Sequence, residues 1–487
     1  MPAYDYDLGI IGGGAAGLTA AAGGARFGAR TILIEKAARL GGDCLHFGCV
    51  PSKTLIRTAE VRSLMGRARA FGLPESPLPP VDLGAVMDRV QAVIDRIQQH
   101  DSPERFCSLG AEIRFGEPKF LDDHAVEVDG KRIAARNWII ATGSGPVIPP
   151  IEGISDVPCW TNETVFSQRT LPSRLIVLGG GPIGLEIAQA FGRLGSAVTV
   201  VEFMDQILGP EDADLADILK NRLESESVRI HTGTKALRAE RNGAAIRLTV
   251  AGAGGNGPDV LDADALFVAA GRRPNIDGLG LDAAGVSYTP RGIPTDPRMR
   301  TNIRHIYACG DVNGQLPFTH VAGYEAGIAL TNAVLHLPRK ADYGRIGWCT
   351  YTDPEVASIG LNEKRAKKAG VDYRVIEEPF DQNDRALAEG ETGGKIKLLL
   401  SPQGKFLGCQ IIGHQAGELI HEWVMMMNGG VKLSTMAGAV HLYPTLSEIS
   451  KRVSGRPFSE KLFGEKTKGI LKFLFNLKGR ACTPPEA

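Results

Sequence analysis

Residues 7–35 read DLGIIGGGAAGLTAAAGGARFGARTILIE, and residues 174–202 read RLIVLGGGPIGLEIAQAFGRLGSAVTVVE. Each stretch runs from an apolar strand through a glycine turn into a helix of small and apolar residues. A second glycine then leads into a β-branched strand that ends in Glu. The register is constant: Gly12, Gly14, Gly17, Gly28 and Glu35 have counterparts 167 residues on, at Gly179, Gly181, Gly184, Gly195 and Glu202. Two βαβ units built on one plan predict an α/β protein with parallel sheets.

A lone GxGxxG is a common turn. Set between a strand and a helix, with an acid about 20 residues further on, it becomes a dinucleotide fingerprint. The first glycine makes the tight turn, and the second lets the backbone approach a pyrophosphate at the positive helix N-terminus. The third allows helix and strand to touch, and the terminal Glu accepts bonds from a ribose diol. Two dinucleotide sites are expected, one on Gly12, Gly14, Gly17 and Glu35, the other on Gly179, Gly181, Gly184 and Glu202.

The rest of the composition agrees with cofactor loops on a large scaffold. A chain of 487 residues has room for roughly three domains. Equal counts of Lys+Arg and Asp+Glu, 55 each, argue against a dominant nucleic-acid or anionic-membrane surface and leave room only for a local basic patch. Glycine, at 60 of 487 residues, exceeds the usual ~7%. No run approaches the ~20 apolar residues of a membrane span. The N-terminal MPAYDYDLGIIGGG opens with acids where a secretory signal is basic, so a cytoplasmic location is expected. Structural disulfides are rare there, so the eight cysteines should be mostly reduced, and a close pair reads as redox or metal chemistry.

Cys44 and Cys49 are such a pair, within GGDCLHFGCVPSKTLIRTAE at 41–60. Pro51 and the helix-like run after it place both sulfurs in the first turn of a helix, where the positive field lowers a thiol pKa from ~8.5. A metal site needs further Cys or His ligands at suitable spacing, and no second cluster supplies them, so no metal is expected.

The stretch GGDCLHFGCVPSK resembles the redox signature of the FAD-dependent pyridine nucleotide-disulfide oxidoreductases, the group of dihydrolipoyl dehydrogenase, glutathione reductase and mercuric reductase. The resemblance spans nearly the whole chain: ATGS at 141–144, AAGRRPN at 269–275, IYACGDV at 306–312, YTDPEVASIG at 351–360 and PTLSE at 444–448 all match family segments. It implies two Rossmann-like FAD/NAD(P)-binding domains of glutathione reductase type plus a C-terminal α+β dimerisation domain. The FAD domain would take residues 1–147 and 273–344, the NAD domain 148–272, the dimerisation domain 345–460, and a tail 461–487.

The resemblance also implies roles. Gly42, Gly116, Thr142, Gly143 and Asp311 would join the first unit around FAD, and Gly271 would lie with the cofactor residues. NADH would be held by the second unit and preferred over NADPH, because Glu202 is followed by FMDQIL with no Arg to meet a 2′-phosphate. Electrons would pass from NADH through FAD to Cys49, the flavin-side sulfur, and then to Cys44, the exchange thiol. Lys53 and Glu186 match the ion pair beside the flavin. A homodimer would share its active site between subunits and act on a small disulfide, dithiol or thiophilic metal.

Departures from the family pattern bear on the substrate. Asp43 stands where Thr is usual, and His46 where Asn is usual; His46 is expected to be a loop histidine. Where dihydrolipoyl dehydrogenase and glutathione reductase have a His directly before Pro-Thr, this chain has Tyr443; Glu448 remains, and His441 is the nearest histidine. A phenol with pKa near 10 is a poor base at neutral pH. Mercuric reductases also lack that His, but they carry a C-terminal cysteine pair where this chain has only Cys482, expected to be inert. GILKFLFNLKGR at 469–480 mixes bulky apolars with basic residues, and docking on the dimer is expected rather than contact with a membrane. The leading reading is a mercuric reductase-like disulfide reductase. Dihydrolipoyl dehydrogenase is the alternative, and a transhydrogenase or redox sensor without sulfur turnover is the third reading.

Overall fold

The computed structural model describes residues 4–75, 77–252 and 258–482. The chain forms two compact units, one of Met1–Gly209 with Lys220–Tyr343, the other of Pro210–Leu219 with Gly344–Ala487.

In the first unit, Ala111–Phe115, Thr31–Glu35, Tyr6–Ile11 and Lys131–Ile140 lie side by side in parallel, and Ile306–Ala308 also runs parallel to Lys131–Ile140. Ala125–Val128 and Lys119–Phe120 continue the sheet antiparallel. The central strands read as unbroken apolar runs because both faces are covered. Gly9 is required there: a Cβ would stand 2.4 Å from the buried Trp138 ring, whose Nε1 donates to the His124 carbonyl at 2.9 Å.

A second sheet in the same unit repeats the plan with five parallel strands. Their order is Arg229–His231, Ala197–Val201, Arg174–Leu178, Ala265–Val268 and Cys159–Trp160. A two-stranded antiparallel ribbon, Ser144–Pro146 with Arg272–Pro274, stands where the chain passes out of and back into the first sheet's residues. The helical spacing expected of Val86, Val90, Val93, Ile94 and Ile97 is realised in Leu83–Gln98, where Val86, Val90 and Ile94 are buried and Val93 and Ile97 half-buried. The loop expected at 251–258 lies mostly outside the described residues, between the paired strands Ala245–Gly252 and Pro258–Ala263. The Pro-rich 74–80 segment is without regular structure, with Ser76 outside the described residues.

The second unit holds a five-stranded antiparallel sheet. It is ordered Gly347–Thr350, Glu355–Gly360, Phe406–Gly413, Lys395–Leu400 and Arg374–Pro379. Ile396, Leu398 and Leu400 share one core with Trp423 of the helix Ala416–Gly429 and Ile449 of the helix Glu448–Leu462. Lys397, between them on the opposite face, is buried against Asp212, Asp214 and Glu363 at 2.5–3.1 Å. Strand alternation thus separates an apolar core from a neutralised ionic cluster.

Candidate active site

The repeat in sequence is also a repeat in hydrogen bonds. Glu35 accepts from Gly13 N–H at 2.5 Å and from Ala37 N–H at 2.6 Å. Its counterpart Glu202 accepts from Gly180 N–H at 2.5 Å and Met204 N–H at 2.7 Å. Gly41 N–H donates to the Gly13 carbonyl at 2.8 Å, and Leu208 N–H to the Gly180 carbonyl at 2.9 Å. Gly12 and Gly179 have φ of 104° and 114°, in the left-handed region, and a Cβ on either would lie 2.4 Å from a carbonyl oxygen, of Ala141 or Ala269. On Gly17 or Gly184 it would come within 1.8 or 2.0 Å of the oxygen of Gly12 or Gly179.

Both turns therefore exclude side chains. The helices Ala15–Arg26 and Pro182–Leu194 start after Gly14 and Gly181 with no side chain capping their first amides, which favours an anion there. Each Glu is fixed by two amides and retains lone pairs for a diol. These residues fit two dinucleotides.

Around the first cradle, Gly116 comes directly after Ala111–Phe115 and its N–H donates to the Glu35 carbonyl at 2.9 Å. A Cβ on Gly42 would meet the Gly14 Cα at 2.6 Å, so the two backbones are in contact. Thr142 donates its hydroxyl to the Asn275 carbonyl at 2.6 Å, and Asn275 N–H donates to the Gly143 carbonyl at 2.9 Å. The two ends of the strand ribbon are pinned together in this way, with Gly271 just before it. The Ser144 hydroxyl donates to Asp311 at 2.5 Å. Burial pushes the Asp311 carboxyl above its ordinary value, against the pull of Ser144 and Arg272.

The cysteines are placed differently from the sequence expectation. They do not share one first turn: Cys44 lies inside its own short helix, Gly42–His46, and only Cys49 opens the long helix Cys49–Gly66. The break comes at Gly48, whose Cα faces the Asp43 carbonyl and carboxylate so closely that a Cβ would stand 3.0 and 3.1 Å from them. All eight cysteines are free thiols. A hydrogen bond from Cys44 lowers the Cys49 pKa to about 6, overcoming its burial, with Thr319 and the Lys53 charge assisting. The same bond, with burial, pushes Cys44 far up. The pair thus holds one thiolate, on Cys49, with the proton on Cys44.

Lys53 Nζ donates to Glu186 Oε2 at 2.8 Å, with the Glu186 side chain only 6% exposed. His46 Nε2 faces the Leu40 carbonyl at 2.8 Å, a loop-bracing contact. The family departure at Asp43 has a structural partner: its carboxylate pairs with Arg272 at 3.2 Å and accepts from Asn162 at 2.9 Å.

In the second unit, Tyr443 is 71% exposed and its hydroxyl donates to Asp384 at 2.9 Å. That bond to a carboxylate raises the phenol above its ordinary value. Asp384 starts a short helix capped by Asn383. Glu448 opens the helix Glu448–Leu462, and its Oε2 is buried without a hydrogen-bond partner among the described residues. His441 turns instead toward Glu422 at 3.6 Å, its side chain only 7% exposed.

Sequence reading missed Thr319, Arg272, Asn162 and Asp384. Thr319 lies 3.4 Å from the Cys49 sulfur across 270 residues, and pattern reasoning has no signal for contacts at that separation. Among the described residues, two groups have metal-ligand proximity, Asp123/His124/His305 and Asp212/Asp214/Glu363. In the first, the rings already face the Ala135 and Asp123 carbonyls at 3.0 and 2.9 Å. In the second, Lys397 is the cation.

Known proteins share this architecture and these motifs. Residues 6–326 match the family described as pyridine nucleotide-disulphide oxidoreductase, and residues 346–453 match its dimerisation domain. A mercuric reductase from Staphylococcus aureus is 32% identical over 447 residues, covering 91% of this chain and 81% of that protein. A dihydrolipoamide dehydrogenase from Chaetomium thermophilum is 35% identical over 467 residues, covering 94% and 92%. Among solved structures, the Cu(II) complex of the HOCl-induced flavoprotein disulfide reductase RclA from Escherichia coli superposes with a TM-score of 0.83 at 26% identity. The match covers 93% of this chain and all of that one. Among the described residues no helix is long and apolar enough to cross a membrane.

Proposed function

The chain belongs to the pyridine nucleotide-disulphide oxidoreductases, FAD- and pyridine-nucleotide-dependent enzymes acting on sulfur groups. On that premise we propose that it carries electrons from NADH through FAD to the Cys44–Cys49 pair and delivers them to a thiophilic metal ion, in the manner of a mercuric reductase. The observation that carries this reading is Tyr443, bound to Asp384 with its proton held more firmly than usual, beside a Glu448 left without the imidazole it would orient.

FAD, when bound, accepts hydride from the nicotinamide and supplies two electrons to a disulfide. The chain's own residues do the rest. Gly12, Gly14, Gly17, Glu35, Gly42, Gly116, Thr142, Gly143 and Asp311 hold FAD; Gly179, Gly181, Gly184, Glu202 and Gly271 hold the nicotinamide dinucleotide. Glu202 favours NADH by bonding the ribose diol and repelling a 2′-phosphate. Cys49 stays as thiolate, with Lys53 and Glu186 fixing the charge beside it. Cys44 attacks or ligates the substrate. In the homodimer implied by the dimerisation domain, the partner's second unit would bring Tyr443 and Glu448 to Cys44. We assign the reaction to the cytoplasm, where free thiols persist.

Reducing a substrate disulfide needs a proton moved off Cys44 and another delivered to the leaving thiolate, which a firmly protonated phenol serves poorly. A metal ion taken from a small-thiol complex displaces the Cys44 proton onto the departing thiolate as the two enzyme thiolates bind it. Its reduction then needs no proton delivered at the site. Dihydrolipoyl dehydrogenase is the second reading, supported by the relatives at 34–36% identity. Stopped-flow reoxidation of the NADH-reduced enzyme separates the two. Hg(II) with excess small thiol should reoxidise it faster than lipoamide, and Tyr443→His should raise lipoamide turnover about tenfold or more. Lipoamide turnover of order 10² s⁻¹ by the unaltered enzyme would overturn the metal reading.

A further inference from the structure

After the helix Glu448–Leu462 the chain makes one more helix, Glu465–Phe475, of which no residue is buried. Ile470, Phe473, Leu474, Phe475 and the following Leu477 are exposed by 51–87%, and Phe463 ahead of the helix by 64%. At 100° per residue, Ile470, Leu471, Phe473, Leu474 and Phe475 fall on one broad arc centred on Leu474, which Lys466 and Thr467 interrupt in the first turn, while Lys468 and Lys472 fall on the other side with Glu465. Of those five apolar residues only Leu471 is half-buried. A helix this apolar on one side is not stable in water for its own sake; something covers that face.

Charge identifies the cover. Between 461 and 480 stand Lys461, Lys466, Lys468, Lys472, Lys478 and Arg480 against a single acid, Glu465, in a chain whose net charge is 0. The remainder of the chain is therefore acidic, and the basic excess falls on a segment that also exposes bulky apolar groups. Docking on a second copy would set this segment against a different patch of the partner, with the reciprocal contact made by the partner's own segment, and the test below separates that occupant from a lipid surface. An anionic lipid surface satisfies both features: the aromatic and aliphatic arc enters the headgroup boundary while the lysines meet lipid phosphates. We propose that residues 461–480 form an in-plane amphipathic anchor that holds this reductase on anionic membrane surfaces. Docking on the dimer, expected from composition, is the competing occupant of the same apolar arc, and flotation against lipid-free light scattering separates the two.

The test is flotation of the full-length, FAD-loaded protein with vesicles of phosphatidylcholine alone or with about 30% phosphatidylglycerol. Runs at roughly 0.1 M and 1 M salt bracket Debye lengths of ~10 and ~3 Å. The protein should float at least about tenfold more with the anionic vesicles at low salt and lose most of that at high salt. A lysine near such a surface is worth roughly fivefold in partitioning, so Lys468→Gln with Lys472→Gln should weaken flotation by more than tenfold. Phe473→Asp with Leu474→Asp should abolish it, with an unchanged visible flavin spectrum and unchanged NADH-driven bleaching showing that the fold is intact. Failure to float on anionic vesicles at low salt would overturn the proposal, as would flotation that survives the Asp substitutions. Light scattering in lipid-free solution that shows tetramers reverting to dimers in the Asp variant would assign the face to a second copy and overturn it equally.

Discussion

The two glycine cradles are congruent from Gly12 to Gly41 and from Gly179 to Leu208, down to the amide that each terminal Glu accepts from the turn. They part at the next residue. Gly42 folds back so that its backbone touches Gly14, and the chain enters the two helices that carry Cys44 and Cys49. Gly209, its counterpart, has nothing within 4 Å of where a Cβ would be, and the chain leaves the unit at Pro210. Over the first cradle, then, the backbone forms a roof bearing the reactive sulfurs. Above the second, Gly181 faces open space, and Phe203 and Met204 beside Glu202 are exposed. A duplicated βαβ unit thus fixes where a dinucleotide fits, and the segment beyond the terminal acid decides the chemistry done with it.

The largest effect should come from the roof. Cys44→Ser and Cys49→Ser should each cut substrate turnover by about 10³-fold or more, the scale on which loss of a nucleophile acts, while NADH still bleaches the flavin. The long-wavelength absorbance of the two-electron-reduced parent should vanish in Cys49→Ser and should stand already in oxidised Cys44→Ser, where the Cys49 thiolate faces oxidised flavin without any reduction. The same band in both variants would remove the distinction drawn between the sulfurs.

Matched substitutions test the cradles themselves. Gly17→Ala and Gly184→Ala place a Cβ 1.8 and 2.0 Å from a backbone oxygen, an overpacking that costs about 1–3 kcal/mol. The first should yield protein with little bound flavin and a lowered Tm. The second should stay yellow and show a KM for NADH raised by about tenfold. Flavin lost from both would mean that the cargoes are not divided between the cradles as assigned.

A smaller effect is expected at the strand ends. Glu202→Ala should narrow the ratio of kcat/KM for NADH over NADPH by about tenfold, roughly 1.4 kcal/mol. Glu35→Ala should leave that ratio unchanged and weaken FAD retention, since two amides lose their acceptor. A ratio that favours NADPH in the unaltered enzyme would refute the role given to Glu202.

The least effect is a shift along the pH axis. Cys49 has a folded-state pKa depressed to about 6, so its thiolate band should be full above that pH and disappear as pH falls through it. Lys53→Met removes one favourable charge and leaves Glu186 facing the sulfur, both of which disfavour the thiolate, so the midpoint should rise by about one unit or less. An unmoved midpoint would leave the Cys44 and Thr319 hydrogen bonds as the whole cause.

Legibility in the sequence depended on the range of each interaction. The βαβ units were readable because strand, turn and helix are dictated by residues within ~30 positions, and a glycine that must adopt positive φ or admit a carbonyl at contact distance has no substitute. The redox pair was readable as a spacing and a resemblance, but its local geometry was not. Whether Cys44 shares the helix of Cys49 depends on the break at Gly48, which is set by how close Gly48 packs against Asp43. Likewise Tyr443 announced the missing imidazole, whereas its bond to Asp384 and the stranded Glu448 oxygen became visible only when separate stretches of chain came together.

The sequence by itself determined the twin cradles and the glycines that line them, since each is written in a short contiguous pattern of φ requirements and apolar periodicity; Cys44 and Cys49 were singled out by their spacing and by the family resemblance. Only the tertiary structure decided which sulfur bears the charge. That charge sits on Cys49 because Cys44 donates a hydrogen bond to it, Thr319 reaches it from 270 residues away, and Lys53, paired with Glu186 of the other cradle's helix, adds its field. A thiol's pKa is a sum over neighbours in space, and neighbours in space are what a linear pattern does not contain.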